Sequence, residues 1–355
     1  MGNRKTLQIT HITVRTIIYA LILLVFVGGA AELLARIQTI QELLTFPSVG
    51  SSHRVFEGRI TLLDKFVEQQ GHVDCIFLGS SMVGVGINPD VFSQVYSSLV
   101  GEDIDCFNFG VQGLTASTAA IMANYLVNEY QPYLIIYGVS ARDFSKKAGA
   151  PAAIALDIPW MRYQSGDFSL EGWLVEHSYA FRYMLVYRNW MTADIDEFKS
   201  NVYVFSKGST LNGYSNVKTI FENILSPPDP VLEKSFFGTM SDYEVSQKDN
   251  HGLVNLLTLQ DSDTQIVLAE LPVHSTYMLF FENGEKDYQI FIDHVEALTS
   301  KQDAIFWQVM HLNIIPDDGW MNRNHLNSTG ASIYSQWLGE QIANAVQSGD
   351  LGPIE

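Results

Sequence analysis

A three-layer α/β sandwich built around a parallel sheet, carrying an aromatic-rich helical insertion and preceded by a membrane-spanning helix, is the architecture this sequence predicts. Three observations point to it. Five short apolar runs are continuous in hydrophobicity instead of alternating, as in strands covered on both faces. Helical patterns separate these runs, which is the order of an α/β chain. Ahead of both lies an uncharged stretch over residues 16–31.

The N-terminal stretch comes first. Arg4, Lys5 and Arg15 precede it, and no acid appears until Glu32. Basic residues on that side favour a cytoplasmic N-terminus and an extracytoplasmic C-terminal body. Sixteen residues fall short of the roughly 20 that cross a bilayer, but residues 12–14 and 33–35 extend the span if Arg15 and Glu32 snorkel. A cleaved signal peptide, with Gly29 and Ala31 as the small residues at the cut, is the competing reading. Both export the body. Residues 1–36 are thus anchor or signal, and residues 37–60, rich in turn formers such as "FPSVGSS", form a linker.

Residues 61–350 form the main domain. Its strands are expected at residues 73–79, 103–110, 133–139, 264–271 and 304–310. Its helices are expected at 89–99, 115–129, 284–300 and 330–347, the last placing Tyr334, Trp337, Leu338, Ile342 and Val346 on one face. An inserted cap fills about residues 146–250. Residues 160–205 hold twelve aromatics, a density that packs the cap onto the sheet, stacks sugar rings or meets the membrane interface.

Composition removes several function classes. The chain has 355 residues, 47% hydrophobic and 17% charged, as in globular proteins. A net charge of -18, with no basic run beyond the N-terminus, excludes phosphate-contacting nucleic-acid binding. Cys75 and Cys106 are too few for a disulfide framework and lack metal-ligand spacing; both read as buried thiols, with a mutual disulfide open in an oxidising compartment. No HExxH, CxxC or EF-hand pattern occurs, so neither metal nor cofactor is predicted.

Sites in parallel α/β sheets form beyond the carboxyl ends of the strands. There the chain places "GSS" (residues 79–81), "NFGVQGLTAS" (108–117), "GVSARDF" (138–144) and, far downstream, "DDGWMNRNHLNSTGA" (317–331). A serine hydroxyl needs a base within hydrogen-bond reach, and histidine is the usual one. A tetrahedral oxyanion needs preorganised N–H donors, which glycine supplies by letting backbone approach closely. Ser81 is therefore the candidate nucleophile and first amide donor, Gly113 the second donor and His325 the base. Taken singly, Gly-Ser-Ser is a turn or phosphate loop and His325 a structural histidine. Their joint order at strand ends argues otherwise.

These four blocks resemble the SGNH or GDSL-type hydrolases. "LGSS" is similar to the first block of that family, with Ser81 in the nucleophile's place. "NFGVQGLT" resembles the second, with Gly113 as the oxyanion glycine, and "NRNHLNSTGA" the last, with His325 as the base. "GSS…NP", "RDF" and "HLN" look most like membrane-anchored, envelope-associated members. Two departures stand out. The family's acid, three residues before the histidine, is here Asn322, leaving Asp318, Asp317 or Asn322 to orient the ring. The family's third-block asparagine is missing, leaving Ser140 or Arg142 as substitute oxyanion donors.

The resemblance implies a membrane-tethered serine esterase or O-acyltransferase acting on an acylated envelope glycan or small ester. The rival reading, motivated by the same departures, is a catalytically weak domain that binds polymer or scaffolds envelope proteins. His274, after the fourth strand, reads as structural. Asn327-Ser328-Thr329 forms a glycosylation sequon beside the candidate base.

Overall fold

The computed structural model describes residues 14–43, 47–150, 152–192, 209–261 and 263–354. Arg4, Lys5 and the aromatics of residues 193–205 lie outside the described residues. The apolar stretch forms helix α1 (Val14–Ala35), whose side chains from Val14 to Leu34 face outward apart from the half-buried Glu32. Its length of 22 residues suits a bilayer crossing.

The expected linker is more ordered than its turn formers suggest. A short α2 (Gln38–Leu43) follows α1, and α3 (Arg54–Gln70) begins inside the predicted linker. The Glu57 side chain gathers the turn residues before that helix, accepting hydrogen bonds from the Ser48 hydroxyl and from the amides of Val49 and Ser51. A carboxylate so close to a helix start also meets the positive end of the helix dipole.

Five strands then form one parallel sheet in the order β2-β1-β3-β4-β5. They are β1 (Cys75–Gly79), β2 (Cys106–Gly110), β3 (Leu134–Val139), β4 (Gln265–Glu270) and β5 (Ile305–Trp307). β1 to β3 are buried at every position, which explains their unbroken apolar sequence. β5 is a half-buried edge strand of three residues, shorter than its apolar run implied. Between strands come α4 (Ser81–Gly86), α5 (Pro89–Val100) and α6 (Ala116–Tyr130). The insertion contributes α7 (Ala141–Phe144), α8 (Ala152–Leu156), α9 (Pro159–Gln164), α10 (Leu170–His177), α11 (Tyr179–Thr192), α12 (Lys234–Met240) and α13 (Gln247–Leu257). The chain closes with α14 (Glu285–Lys301) and α15 (Ser328–Ser348).

The chain leaves β1 towards one edge and returns across it to β3, so successive right-handed crossovers place helices on opposite faces. α5 packs with α15 on one face, and α6 with α13 on the other. The first reversal of direction lies beside β1 and opens a crevice at its carboxyl end. Cys75 and Cys106 are directly paired on β1 and β2, buried and unbridged, as expected of core thiols. The segment around residues 209–217 covers the free edge of β2, where the Asn212 carbonyl accepts from the Asn108 amide at 2.8 Å.

Three glycines lie side by side at the carboxyl ends of the first three strands. Gly79 is in register with Gly110 on one side and Gly138 on the other. A Cβ at Gly110 would stand 2.2 Å from the Gly84 amide nitrogen, and one at Gly138 would stand 2.5 Å from Val83 Cγ2. The row is therefore a floor low enough for α4 to rest on. Asn108 ties that helix down, donating from Nδ2 to the carbonyls of Val83 and Ile87 while its Oδ1 accepts from the Gly110 amide. Gly110→Ala should lift α4 or distort β2 and cost about 1–3 kcal/mol, the range for overpacking. Chemical denaturation of the two proteins measures it.

Candidate active site

The two serines after β1 have different duties. Ser80, extended at φ -77° and ψ -167°, caps α4 by accepting from the Met82 amide. Ser81 is the first residue of that helix, half-buried, with its hydroxyl turned towards the C-terminal loop. There its Oγ lies 2.8 Å from Nε2 of His325, 244 positions away in sequence. The candidate nucleophile and base are thus brought together.

The loop carrying His325 is held from several sides. The amides of Met321 and Asn322 donate to the His325 carbonyl, and Trp320 and Leu326 form an antiparallel bridge. Arg323 is 3% exposed. Its guanidinium donates to Glu233, to the carbonyls of Ile224 and Ser226, and to Thr276, while its own carbonyl accepts from the His274 amide. A buried arginine with this many acceptors anchors the loop to the insertion and to the residues after β4. The residues on either side of it, Asn322 and Asn324, are left to bracket the imidazole.

Both asparagines present Oδ1 to Nδ1 of His325, each at 3.1 Å. The orientation of the Asn322 amide follows from its other contacts. Its Oδ1 also accepts from the amides of Asn324 at 3.0 Å and His325 at 2.8 Å. A flipped amide would aim NH₂ at two N–H donors, so the oxygen must face this side. An oxygen at Nδ1 requires the proton there, leaving Nε2 with a lone pair for the Ser81 hydroxyl. In serine triads the Asp-to-Asn change is damaging because it selects the wrong tautomer. The local backbone removes that difficulty here.

Of the three candidates for orienting the ring, Asn322 stands at Nδ1 and Asp318 and Asp317 do not. Asp318 is exposed and lies with Asp317 beside residues 220–226; its carbonyl accepts from Asn327 Nδ2. Asp317 faces His274 instead, with Oδ1 3.5 Å from Nε2. His274, whose Nδ1 contacts Thr276, has the structural part expected of it. Asn327 is buried and caps α15, so the sequon nitrogen is engaged inside the fold.

Ser140 is likewise corrected. Its hydroxyl and its amide both donate to Asp143 Oδ2, so it caps α7 and has no proton free for an oxyanion. Burial pushes the Asp143 carboxyl up to about 7. Arg142 lies near enough to His325 for its charge to act on the imidazole. Its Nη2 donates to the Gly149 carbonyl, while Nη1, 3.8 Å from Asp143 Oδ1, makes no hydrogen bond among the described residues. Burial, with the Arg142 charge second, lowers the His325 imidazole to about 4. His325 is therefore neutral across the physiological range.

Gly113 occupies the third position of a turn closed by the Leu114 amide on the Val111 carbonyl, with φ +78°. That is the position at which a type II turn requires glycine. Among the described residues, neither the Gly113 nor the Ser81 amide donates to a protein acceptor. The direction of the Gly113 N–H is set by His53, which sequence reading missed. His53 Nδ1 accepts from the Phe56 amide, so Nε2 carries the hydrogen and donates to the Gln112 carbonyl at 2.9 Å. The Gln112 carbonyl and Gly113 N–H share one planar trans peptide and point in opposite directions. Arg59, 1% exposed, holds the neighbouring Gly110 carbonyl at 3.0 Å. Both clamps come from α3 and its cap, more than 40 residues upstream. The turn-rich composition around His53 was the sole local signal, and it indicated a linker.

No protein-family model matches the chain, and no curated protein matches it. Among solved structures it is similar to a lipase/acylhydrolase from Enterococcus faecalis, at 11% identity and TM-score 0.39, over 79% of this chain and 98% of the other. It is also similar to a carbohydrate acetylesterase family member from Sinorhizobium meliloti, at 10% identity and TM-score 0.38, over 77% and 98%. An aryl esterase of M. smegmatis follows, at 14% identity and TM-score 0.34, over 76% and 98%. Values this low leave the chemistry to be argued from the residues.

Replacing Asn322 with Asp keeps an acceptor for the same three N–H groups and adds a negative charge. An opposite charge at this range raises a histidine pKa by about 1–3 units. The rate at which an organophosphorus probe modifies Ser81 should lose its acid half near pH 4 in the wild type and correspondingly higher in Asn322→Asp. Asn322→Ala should slow labelling by about one to two orders of magnitude, short of the roughly 10⁴-fold cost of a wrong tautomer, because Asn324 still accepts.

Proposed function

We propose that the chain is a membrane-tethered serine esterase or O-acyltransferase that acts, on the outer side of the membrane, on acyl groups of an envelope polysaccharide or glycan. The observation that carries the chemical part is the 2.8 Å contact between Ser81 Oγ and an Nε2 whose lone pair is secured by two asparagine oxygens on Nδ1. Such a pair removes a proton from a hydroxyl and returns it to a leaving group.

Ser81 Oγ attacks the acyl carbon as its proton passes to His325 Nε2. The carbonyl π electrons move onto oxygen, and the resulting oxyanion is met by the amides of Ser81 and Gly113. Arg142, whose buried Nη1 makes no hydrogen bond among the described residues, is the candidate third donor in place of the missing asparagine. Collapse breaks the bond to the alcohol, which leaves with the proton from Nε2. Water or a sugar hydroxyl then attacks the acyl-Ser81 ester, giving its proton to His325; the second tetrahedral intermediate collapses by expelling Ser81 Oγ, which takes that proton back from Nε2, and the choice of acceptor separates hydrolysis from transfer. The outward orientation rests on the apolar α1 and the basic residues that lead it in the sequence, and the glycan substrate rests on the likeness of "GSS…NP", "RDF" and "HLN" to envelope-associated SGNH members.

A second reading, a catalytically weak domain that binds polymer, is favoured by one observation. Among the described residues no carboxylate stands at Nδ1 to stabilise the imidazolium, and the imidazole is lowered to about 4. A weaker base gives a slower proton transfer.

A fluorophosphonate probe and an aryl acetate separate the two. The proposal expects labelling and turnover in the wild type at pH 7, and in Ser81→Ala no labelling and turnover reduced by at least about 10³-fold. A correctly folded wild type that neither labels nor turns over between pH 5 and 8 contradicts it and leaves the binding reading.

A further inference from the structure

The end of α1 is fastened to the insertion. Glu32, one helical turn from the end of α1, accepts from the Ser178 hydroxyl at 2.8 Å and from the amides of Tyr179 at 3.1 Å and Ala180 at 3.0 Å. Those amides open α11 and have no partner within the helix, so the carboxylate acts as a cap supplied from another element. Arg36, four residues on, donates to Glu32 at 2.7 Å and to the His177 carbonyl at 3.2 Å, with its guanidinium 4.9 Å from the centre of the Tyr179 ring. One pair of charged residues thus grips both the last residue of α10 and the first turn of α11, and α1 packs against α11.

Around this latch the insertion turns large apolar side chains outward. Phe168 is 75% exposed and Leu170 65%, and Trp173, Met184 and Tyr187 are exposed as well. They belong to the approach to α10, to α10 itself and to α11. Their position decides what covers them. The uncharged run of α1 ends at Ala31, so where α1 crosses a bilayer Glu32 lies at headgroup depth. The latch fixes the start of α11 at that same depth. Tyrosine and tryptophan prefer this zone, having an apolar body and a polar tip.

We infer that residues 168–187 rest on the lipid surface, with Phe168, Leu170, Trp173, Met184 and Tyr187 bedded at the boundary of headgroups and acyl chains. The Glu32–Arg36 latch holds them there. This rests on the reading of α1 as a membrane span. It goes further in giving the catalytic domain a second, non-covalent attachment, which fixes how the domain stands on the membrane. A flexible tether leaves that orientation free.

The full-length chain in lipid nanodiscs tests it. A polarity-sensitive dye is placed on Phe168→Cys, on Tyr187→Cys and on Leu99→Cys, an exposed position on α5 of the body; Cys75 and Cys106 are buried and do not compete. Lipids carrying a nitroxide close to the headgroup serve as quencher. Residues 168 and 187 should be quenched at least about threefold more than residue 99, and adding Glu32→Ala should halve the quenching at residue 187. Equal quenching at all three sites in a disc-embedded chain overturns the inference and leaves the span intact. Shielding from water without quenching by lipid overturns it in favour of a protein or glycan partner. A chain that fails to enter discs, and washes off membranes at alkaline pH, removes the span and the inference together.

Discussion

The proposed chemistry depends on which side of one amide faces one ring. If the Asn322 oxygen meets His325 Nδ1, Nε2 is a base and Ser81 has a proton acceptor at 2.8 Å. If the NH₂ group faced the ring, Nε2 would carry the proton and donate it to Ser81 Oγ, leaving the hydroxyl with no base. Two backbone amides settle the orientation, because both donate to the same oxygen. The usual carboxylate both chooses the tautomer and stabilises the imidazolium. Here the first task is done by local backbone geometry and the second is left undone. Burial first and the Arg142 charge second lower the imidazole pKa to about 4. Its stability counterpart has a definite sign. The folded state binds fewer protons than the unfolded chain between about pH 4 and 6.5, so stability attributable to His325 falls as pH drops through that window.

The remainder of the fold delivers these groups. The glycine row lowers the strand ends so that α4 sits directly above them, and Asn108 holds the helix in place. α3 reaches the neighbouring loop through His53 and Arg59, which fixes the peptide that presents the Gly113 amide. The insertion holds the His325 loop through Arg323. The insertion is also gripped by Glu32 and Arg36 at the end of α1, so the support that holds the His325 loop is tied to that helix as well.

Legibility in the sequence followed the range of the interactions. Continuous apolar runs marked the strands to within about three residues, because burial on both faces is written in each strand's own composition. β5 was overestimated since an edge strand needs fewer pairing residues than an apolar run suggests. The meeting of Ser81 with His325 was expected from the joint order of their blocks at strand ends, and the two side chains do lie 2.8 Å apart; the positive φ of Gly113 belongs to a turn that the sequence marked only by its glycines. Asp318 was chosen on charge, yet its side chain points outward while the nearer Asn322 is drawn back by the amides of its own turn. Ser140 carried a local sign that went unused: Ser140-x-x-Asp143 is a capping box. His53 had no such sign. Its partner is 59 residues away, and that contact exists only after α3 has folded against the sheet.

The most direct test is the protonation state of the His325 ring nitrogens, read by ¹⁵N NMR of the wild-type chain across pH 4 to 8. The account predicts a proton on Nδ1 and a bare, pyridine-like Nε2, persisting down to about pH 5 and giving way to imidazolium only near pH 4. A proton on Nε2 in the neutral ring, or an imidazolium already formed at pH 6, would contradict it.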